Sequence, residues 1–172
     1  MHLKRKEEIM KKINFFKKIY YSITGKKYKE MVEEKSGYAI LYLAIFELVF
    51  TVIISVIAAR NLLTASFKEV YDFAYNFLED FIDNSLTLTF NTILVLSVLG
   101  YLYKLFTKNK VKYSKMFCLA TYSSTTAMIL KYIVFMVNYL TNLDIHYFNY
   151  VYVIIVIIYF VVNFKKSIEG AK

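Results

Sequence analysis

Four long apolar stretches constrain this chain more than any other feature of its sequence. They lie near residues 37–59, 86–106, 116–139 and 147–164. A helix needs about 20 apolar residues to cross a hydrocarbon core of roughly 30 Å, and each stretch is close to that length. Because 58% of the 172 residues are hydrophobic and 19% are aromatic, a soluble domain of this size has more apolar surface than it can bury. The sequence therefore predicts an all-α, polytopic membrane protein with four transmembrane helices.

The basic residues sort to one side of these four spans. Eleven Lys/Arg precede residue 37, five lie within 104–115 and three follow residue 164, which makes 19 of the 22. The alternate connection, residues 60–85, holds only Arg60 and Lys68 among several acidic residues. By the positive-inside rule, both termini are then cytoplasmic. We expect a multi-pass protein of the cell membrane, and because the positive charge faces the membrane we expect no nucleic-acid partner.

The chain divides into a cytoplasmic leader, 1–36, a four-helix membrane domain, 37–164, and a cytoplasmic tail, 165–172. Apolar residues of the leader recur at steps of three and four, which places them on one helical face: Ile9, Ile13, Phe16, Tyr20 and Ile23. The rest of the helix surface carries Lys11, Lys12, Lys17 and Lys18. One interpretation is an amphipathic helix on the cytoplasmic leaflet, where anionic lipid attracts each basic residue by about 1 kcal/mol. The other is an ordinary topogenic leader that is helical, and in both cases Gly25 is expected to end the helix.

A second amphipathic pattern falls in the connection between the first two spans. Phe67, Val70, Ala74, Phe77 and Phe81 stand at helical spacing among acidic residues. This predicts an extracytoplasmic helix that rests on the outer leaflet or caps the bundle. The last connection, from about residue 140 to 146, is short, so the third and fourth spans are expected to be antiparallel neighbours.

Two charged residues inside the predicted spans, Glu47 and Lys131, are the strongest candidates for a functional site. A charge at mid-membrane costs about 2.5–3.5 kcal/mol on insertion scales, so each is expected to face the bundle and find a partner. The two side chains either pair with each other, or Glu47 is protonated and hydrogen-bonded while Lys131 extends outward. The sequence leaves both arrangements open.

The third span carries a stripe of small and polar residues within a narrow helical arc: Ala120, Ser124, Ala127, Lys131 and Asn138. A hydroxyl-rich run, 121–126, is expected to bond to the preceding turn or to a neighbouring helix. In the first span, Ala44, Thr51 and Ala58 flank Glu47 in a similar way. Both stripes fit either close helix packing or a polar pathway. Glu47, Lys131, Ser124, Asn138 and Thr51 therefore form the candidate intramembrane polar site, and Asn91, Asn149 and Asn163 are expected to bond between helices.

The sequence gives little support to an enzymatic function. His2 and His146 lie far from each other along the chain, and Cys118 is its single cysteine, so the residues show no spacing typical of a metal site. We therefore expect no catalytic residues, no cofactor and no bound metal.

Three stretches resemble a family of small membrane proteins from low-GC Gram-positive bacteria, catalogued as domain of unknown function family 1189. They are FFKKIYYSITGKKYKEM leading to GYAILYLAIF, then FLEDFIDNSLTLTF, and then KYSKMFCLATYSSTTAMILKYIV. The family is loosely similar in layout to the Yip-type membrane proteins. The resemblance implies a multi-span bacterial plasma-membrane protein, and it supplies no residue roles.

The function expected from these features is a non-enzymatic organiser of lipids or partner proteins in the bacterial plasma membrane. Its partners are the bilayer itself, with a preference for anionic lipid, and either a second copy or another membrane protein. The alternative is a small transporter or channel component that uses Glu47 and Lys131 as an intramembrane pair.

Overall fold

The computed structural model describes residues 14–59, 66–80, 82, 86–106, 112–141 and 147–166, and within these residues it contains helices and no strand. The seven helices are α1 Phe15–Thr24, α2 Tyr28–Val32, α3 Ser36–Ala59, α4 Phe67–Asp80, α5 Leu88–Phe106, α6 Tyr113–Thr141 and α7 Phe148–Phe164. The all-α prediction is confirmed. The four predicted spans coincide with α3, α5, α6 and α7 to within three residues at each end. Lys11, Lys12 and most of the tail lie outside the described residues.

Local sequence signals set two of the helix ends. Gly25 ends α1, as predicted, with φ at +70° and its amide donating a 2.9 Å hydrogen bond to the Tyr21 carbonyl. At the start of α4, the Ser66 amide donates to Glu69 Oε2 at 2.7 Å, and the Glu69 amide donates to Ser66 Oγ at 3.4 Å. This reciprocal pair is a capping box. The S-x-x-E spacing that signals it is visible in the sequence.

Helix α6 forms the centre of the bundle, because α1, α2, α3, α5 and α7 all pack against it. All ten side chains of residues 116–125 are buried. The predicted inward stripe of this helix is correct for Ala120, Ser124 and Ala127, each of which is fully buried.

The inner face of α3 differs from the prediction. Ala44 is exposed and Thr51 is half-buried, whereas Tyr42, Phe46 and Glu47 are buried. Aromatic packing explains the difference, since the Phe46 and Phe50 rings stack at 4.6 Å and Phe50 stacks on Tyr132 of α6 at 4.9 Å. Large rings, rather than small residues, join α3 to α6.

Contacts between side chains give the directions of the helices. Asn163 of α7 bonds to Ser123 of α6, and Lys131 further along α6 lies over Tyr152, earlier in α7. Helices α6 and α7 are therefore antiparallel neighbours, as predicted. Helix α3 runs parallel to α6, because Tyr42 bonds to Thr125 and the later Glu47 bonds to the later Tyr132.

The two ends of the described chain lie at the same end of the bundle. A Cβ added at Gly25 would lie 3.7 Å from Lys166 Nζ, so the α1–α2 turn is next to the end of α7. The α1 and α2 helices, the start of α3, the end of α5 and the start of α6 also meet there. We call this the basic end, because most of the described lysines lie in these segments.

Glycine allows three helices to approach closely at one point. A Cβ added at Gly100 of α5 would lie 2.8 Å from Phe160 Cζ of α7 and 3.3 Å from Met116 Sδ of α6. Carbon atoms do not normally come so close, and only the absence of a side chain lets the Phe160 ring pack against this helix.

Two helices of the described chain are long and apolar enough to cross a membrane, Ser36–Ile57 and Leu88–Phe106. Only 28% and 33% of these segments are buried within the protein. Helix α7 is apolar but shorter, with 17 residues.

Candidate functional site

The basic end contains a buried ion pair that joins α1 to the bundle. Lys18 Nζ lies 2.8 Å from Glu34 Oε2, and the two side chains are 11% and 2% exposed. Tyr122 of α6 donates a short hydrogen bond to the same carboxylate oxygen. The Lys18 ammonium also lies 5.9 Å from the centroids of the Tyr38 and Tyr122 rings. Lys18, Glu34 and Tyr122 form what we call the basic-end cluster.

The structure corrects the assignment of Lys18 to the lipid-facing lysines. Its side chain turns inward to Glu34, whereas its neighbour Lys17 is exposed. The apolar residues Phe16, Tyr20 and Ile23 are exposed at 72%, 49% and 42%. The face of α1 that carries Lys18 therefore packs on α6, and the apolar face predicted from the sequence points away from the protein.

A second group of hydrogen bonds lies beside the basic-end cluster. The Tyr28 hydroxyl lies 3.1 Å from the Leu119 carbonyl and 2.8 Å from Ser123 Oγ, and Asn163 Nδ2 donates to the same Ser123 at 3.3 Å. The predicted interhelical role of Asn163 is confirmed. Burial raises the pKa of Tyr28 well above its usual range, so this phenol stays neutral.

The hydroxyl run of α6 bonds in both of the ways expected. Thr121 Oγ1 and Ser124 Oγ donate to carbonyls of the preceding turn, at 2.9 and 2.7 Å. Ser123 and Thr125 reach neighbouring helices, where Thr125 Oγ1 lies 3.0 Å from the Tyr42 hydroxyl. These bonds satisfy polar groups that lie deep in the bundle.

Farther from the basic end, Glu47 and Lys131 occupy a second polar region, which we call the mid-bundle cluster. Glu47 is 2% exposed and accepts a short hydrogen bond from the Tyr132 hydroxyl. The Lys131 ammonium lies 5.3 Å from the centroid of the Tyr152 ring and is close enough to Glu47 for the two charges to attract. Tyr152 in turn donates to Thr89 Oγ1 of α5 at 3.4 Å. Whether Glu47 and Lys131 form a direct ion pair stays a prediction.

The other predicted members of the polar site are Thr51, Ser124 and Asn138. Thr51 Oγ1 donates to the Glu47 carbonyl at 2.6 Å, a bond within α3, and Ser124 bonds within α6. Asn138 is half-buried, and its Oδ1 has no hydrogen-bond partner among the described residues. The hydrogen bonds described for Thr51 and Ser124 are therefore to groups of their own helices.

A cavity of about 290 Å³ opens beside Glu47, between α3 and the start of α5. Leu43 and Glu47 line it from α3. The other lining residues belong to the start of α5 and the turn before it: Leu86, Thr87, Thr89, Phe90 and Asn91. Asn91, predicted to bond between helices, is exposed and lies on the cavity wall. Lys131 is not among the lining residues.

Sequence reasoning missed Glu34 and the inward role of Lys18, and it included Tyr122 in the hydroxyl run without identifying its partner. Lys18 and Glu34 are sixteen residues apart and lie on different helices, so no local pattern links them. One usable signal was present, because Phe15, Lys18, Ile19 and Ser22 share a helical face at steps of three, one and three. No group of three or more His, Cys, Asp or Glu side chains that could hold a metal occurs among the described residues.

These features define a class: an all-helical protein with two helices able to cross a membrane and with charged groups buried between its helices. The family described as protein of unknown function, DUF1189, matches residues 66–164, which is more than half of the chain. The chain belongs to this family. Two of the three stretches that suggested the resemblance fall inside the matched region, and the first precedes it. No curated protein and no solved structure matches the chain.

Proposed function

We propose that this chain is a four-span membrane protein with both ends in the cytoplasm, and that it organises lipids or partner proteins without catalysing a reaction. The observation that carries the proposal is the distribution of side chains across the bundle. Apolar side chains of α3 are exposed, among them Leu41, Leu48 and Val56 at 54%, 63% and 68%. Buried positions hold Lys18, Glu34, Glu47 and a run of hydroxyls. So many exposed apolar side chains are unusual for a water-soluble fold, and lipid is the solvent that suits them.

The directions of the helices and the positions of the charges support the four-span arrangement. The described chain begins and ends at the basic end, as an even number of crossings requires. Lysines cluster at that end, whereas α4, which belongs to the alternate connection, carries Glu69, Asp72 and Glu79. The positive-inside rule then assigns the basic end to the cytoplasm.

The organising role is proposed from two helices that expose apolar faces. Helix α1 presents Phe16 and Tyr20 outward beside the exposed Lys17, which suits insertion into an anionic leaflet. On α4, Phe67 is 88% exposed and none of the described side chains is buried. Such faces are suited to lie at the two membrane surfaces and to contact lipid or a partner there.

Cysteine accessibility tests the proposed topology. Cys118 is fully buried, so the wild type serves as the unlabelled background. Lys29→Cys at the basic end and Asp72→Cys in α4 both introduce a thiol at an exposed position. In intact cells, a membrane-impermeant maleimide is expected to label Asp72→Cys at least tenfold faster than Lys29→Cys, and permeabilisation should equalise the two. Labelling of Lys29→Cys from outside the cell would overturn the four-span proposal.

Lipid enrichment tests the organising role. The protein is reconstituted in phosphatidylcholine bilayers that contain a minority of phosphatidylglycerol, and the lipids that remain bound are counted by native mass spectrometry. Neutralising Lys17, Lys26 and Lys27 is expected to reduce retained phosphatidylglycerol several-fold, because each lysine near the surface contributes about 1 kcal/mol at low salt. Lys68→Gln in α4 is the matched control. Equal retention by all variants would contradict a lipid-organising role for α1.

One observation favours the second candidate, a small transporter or channel component: the cavity that reaches the buried Glu47 carboxylate. Flux into proteoliposomes is compared for the wild type, Glu47→Gln, Lys131→Met and the double variant. If the two charges act together, the double variant should lose less than the sum of the single losses. Flux that survives both substitutions would exclude transport through this pair.

A further inference from the structure

The outer side of α5 exposes an amide within a helix that is able to cross a membrane. Helix α5 has 19 residues, which at 1.5 Å each reach about 28 Å, close to the roughly 30 Å of a hydrocarbon core. Asn91 is the fourth residue of this helix, so in a membrane it lies about 5 Å inside the helix end. Its side chain is exposed. An amide that faces hydrocarbon is costly unless it finds a hydrogen-bond partner.

Asn91 stands in line with a stripe of exposed apolar side chains. Residues at successive steps of four, three, four and three from Asn91 lie within an arc of about 80° on the helix. They are Val95, Val98, Leu102 and Leu105, exposed at 56%, 45%, 42% and 55%. Buried Gly100 lies on the opposite side of α5, where Met116 of α6 and Phe160 of α7 pack. We call Asn91 and these four residues the α5 stripe.

The amide distinguishes this stripe from the other exposed faces of the described helices. Every exposed side chain of α3 between residues 40 and 56 is apolar, which suits contact with lipid. Asn149 is also exposed, but it is the second residue of α7 and therefore lies at the level of the lipid headgroups. Only within the α5 stripe does an exposed amide stand a full turn inside a helix that can span a membrane. This favours a protein partner for α5 over lipid alone.

A second copy of the chain fits the α5 stripe better than an unrelated partner. In a closed dimer of two copies inserted in the same direction, the two-fold axis runs along the membrane normal, so a residue near the axis meets its own counterpart at the same depth. An amide both donates and accepts, and two Asn91 side chains can therefore bond to each other. Steps of four and three are those at which two helices interlock, and one polar residue at such a position fixes their register.

We propose that this chain forms a symmetric dimer through the α5 stripe, with the two Asn91 amides hydrogen-bonded to each other across the two-fold axis. Val95, Val98, Leu102 and Leu105 of the two copies then pack along the rest of the contact. The inference goes beyond the proposed function and rests on it only for the location of α5 in the membrane.

Disulfide crosslinking in native membranes tests which face forms the contact. Val95→Cys lies on the α5 stripe, and Val52→Cys lies on the exposed face of α3. The two valines are matched, because they are 56% and 53% exposed and each is seven residues from the end of its helix, Leu88 or Ala59. With copper phenanthroline as oxidant, Val95→Cys is expected to give at least ten times more crosslinked dimer. The wild type is the background, since its Cys118 is fully buried.

The affinity of the dimer tests the role of the amide. Förster transfer between donor- and acceptor-labelled copies of the full chain is measured in proteoliposomes over a range of protein-to-lipid ratios. Asn91→Leu is expected to weaken association about 5- to 30-fold, the typical contribution of an interhelical hydrogen bond in model membrane peptides. Asn91→Gln keeps an amide and should restore most of the affinity. Asn149→Leu removes an exposed amide outside the stripe and should associate as the wild type does.

The two assays do not depend on the same substitution, so a poorly folded Asn91→Leu protein leaves the crosslinking test intact. Equal crosslinking of Val95→Cys and Val52→Cys, a crosslink from Val95→Cys to a different protein instead of a second copy, or unchanged affinity of folded Asn91→Leu would each refute the dimer. None of these results alters the maleimide labelling of Lys29→Cys and Asp72→Cys. Failure of the dimer is therefore distinguishable from failure of the four-span proposal.

Discussion

Replacing Lys18 by Met leaves the Glu34 carboxylate buried without its cation. At 2.8 Å and an effective dielectric constant of about 20, the attraction between the two charges is about 6 kcal/mol before desolvation is subtracted. Removing one partner of a buried pair typically costs about 3–5 kcal/mol. Detachment of α1 exposes Glu34 to solvent. We therefore expect Lys18→Met to weaken the docking of α1 on the bundle by about 3 kcal/mol.

Hydrogen exchange measures this docking directly. A loss of about 3 kcal/mol raises the population with α1 detached by about 150-fold, since each 1.4 kcal/mol is a factor of ten. Exchange of the α1 amides, residues 15–24, should accelerate by that factor, while exchange in the centre of α6 changes little. The matched control is Lys17→Met, which removes the neighbouring exposed lysine and should alter α1 exchange less than twofold.

The double variant Lys18→Met, Glu34→Gln separates the charge from simple packing. With no charge left in the cluster, α1 should exchange more slowly than in Lys18→Met alone, because the uncompensated carboxylate is gone. If Lys18→Met and Lys17→Met exchange at the same rate, the ion pair contributes nothing to docking and the argument fails.

Three further outcomes follow from single contacts. Gly100→Ala should lower stability by about 1–3 kcal/mol, because its Cβ would meet Phe160 Cζ at 2.8 Å, whereas Gly37→Ala, with nothing within 4 Å, should be neutral or slightly stabilising in thermal unfolding. Hydrogen bonds from Ser66 lower the pKa of the Glu69 carboxyl below its usual 4.5, so the stability that it gives to the start of α4 is complete above pH 4.5 and is lost as the pH falls through the lowered pKa. Amide exchange in the first turn of α4 should therefore accelerate at low pH in the wild type and not in Glu69→Gln. Burial raises the pKa of Tyr28, so the contribution of this phenol to the free energy of unfolding is complete below about pH 10 and is lost at higher pH. Tyr28→Phe should remove this part of the stability loss at alkaline pH, as measured by unfolding curves.

The helices of this chain follow from its sequence because each depends on local information. Length and apolar content place the four long helices, and Gly25 ends α1 because a left-handed residue is needed there. The Glu47 and Lys131 positions also follow from composition, since a charge within an apolar stretch must be buried against other helices. Contacts between residues that lie far apart along the chain cannot be predicted from such local information. Lys18 looks like any other surface lysine until Glu34 is brought beside it.

The same reasoning explains why the predicted inner face of α3 is wrong and that of α6 is correct for Ala120, Ser124 and Ala127. Residues 116–125 of α6 are buried on every side of the helix, so the small residues Ala120 and Ser124 are buried whichever side they lie on. Helix α3 packs mainly on α6. Phe46, Phe50 and Tyr132 form this contact by ring stacking, which leaves Ala44 exposed. Small residues mark a helix interface in lipid only where backbones approach closely, as at Gly100. Where rings fill the space between helices, the interface follows the rings, and the Glu47 cavity lies on the side of α3 that those rings leave unfilled.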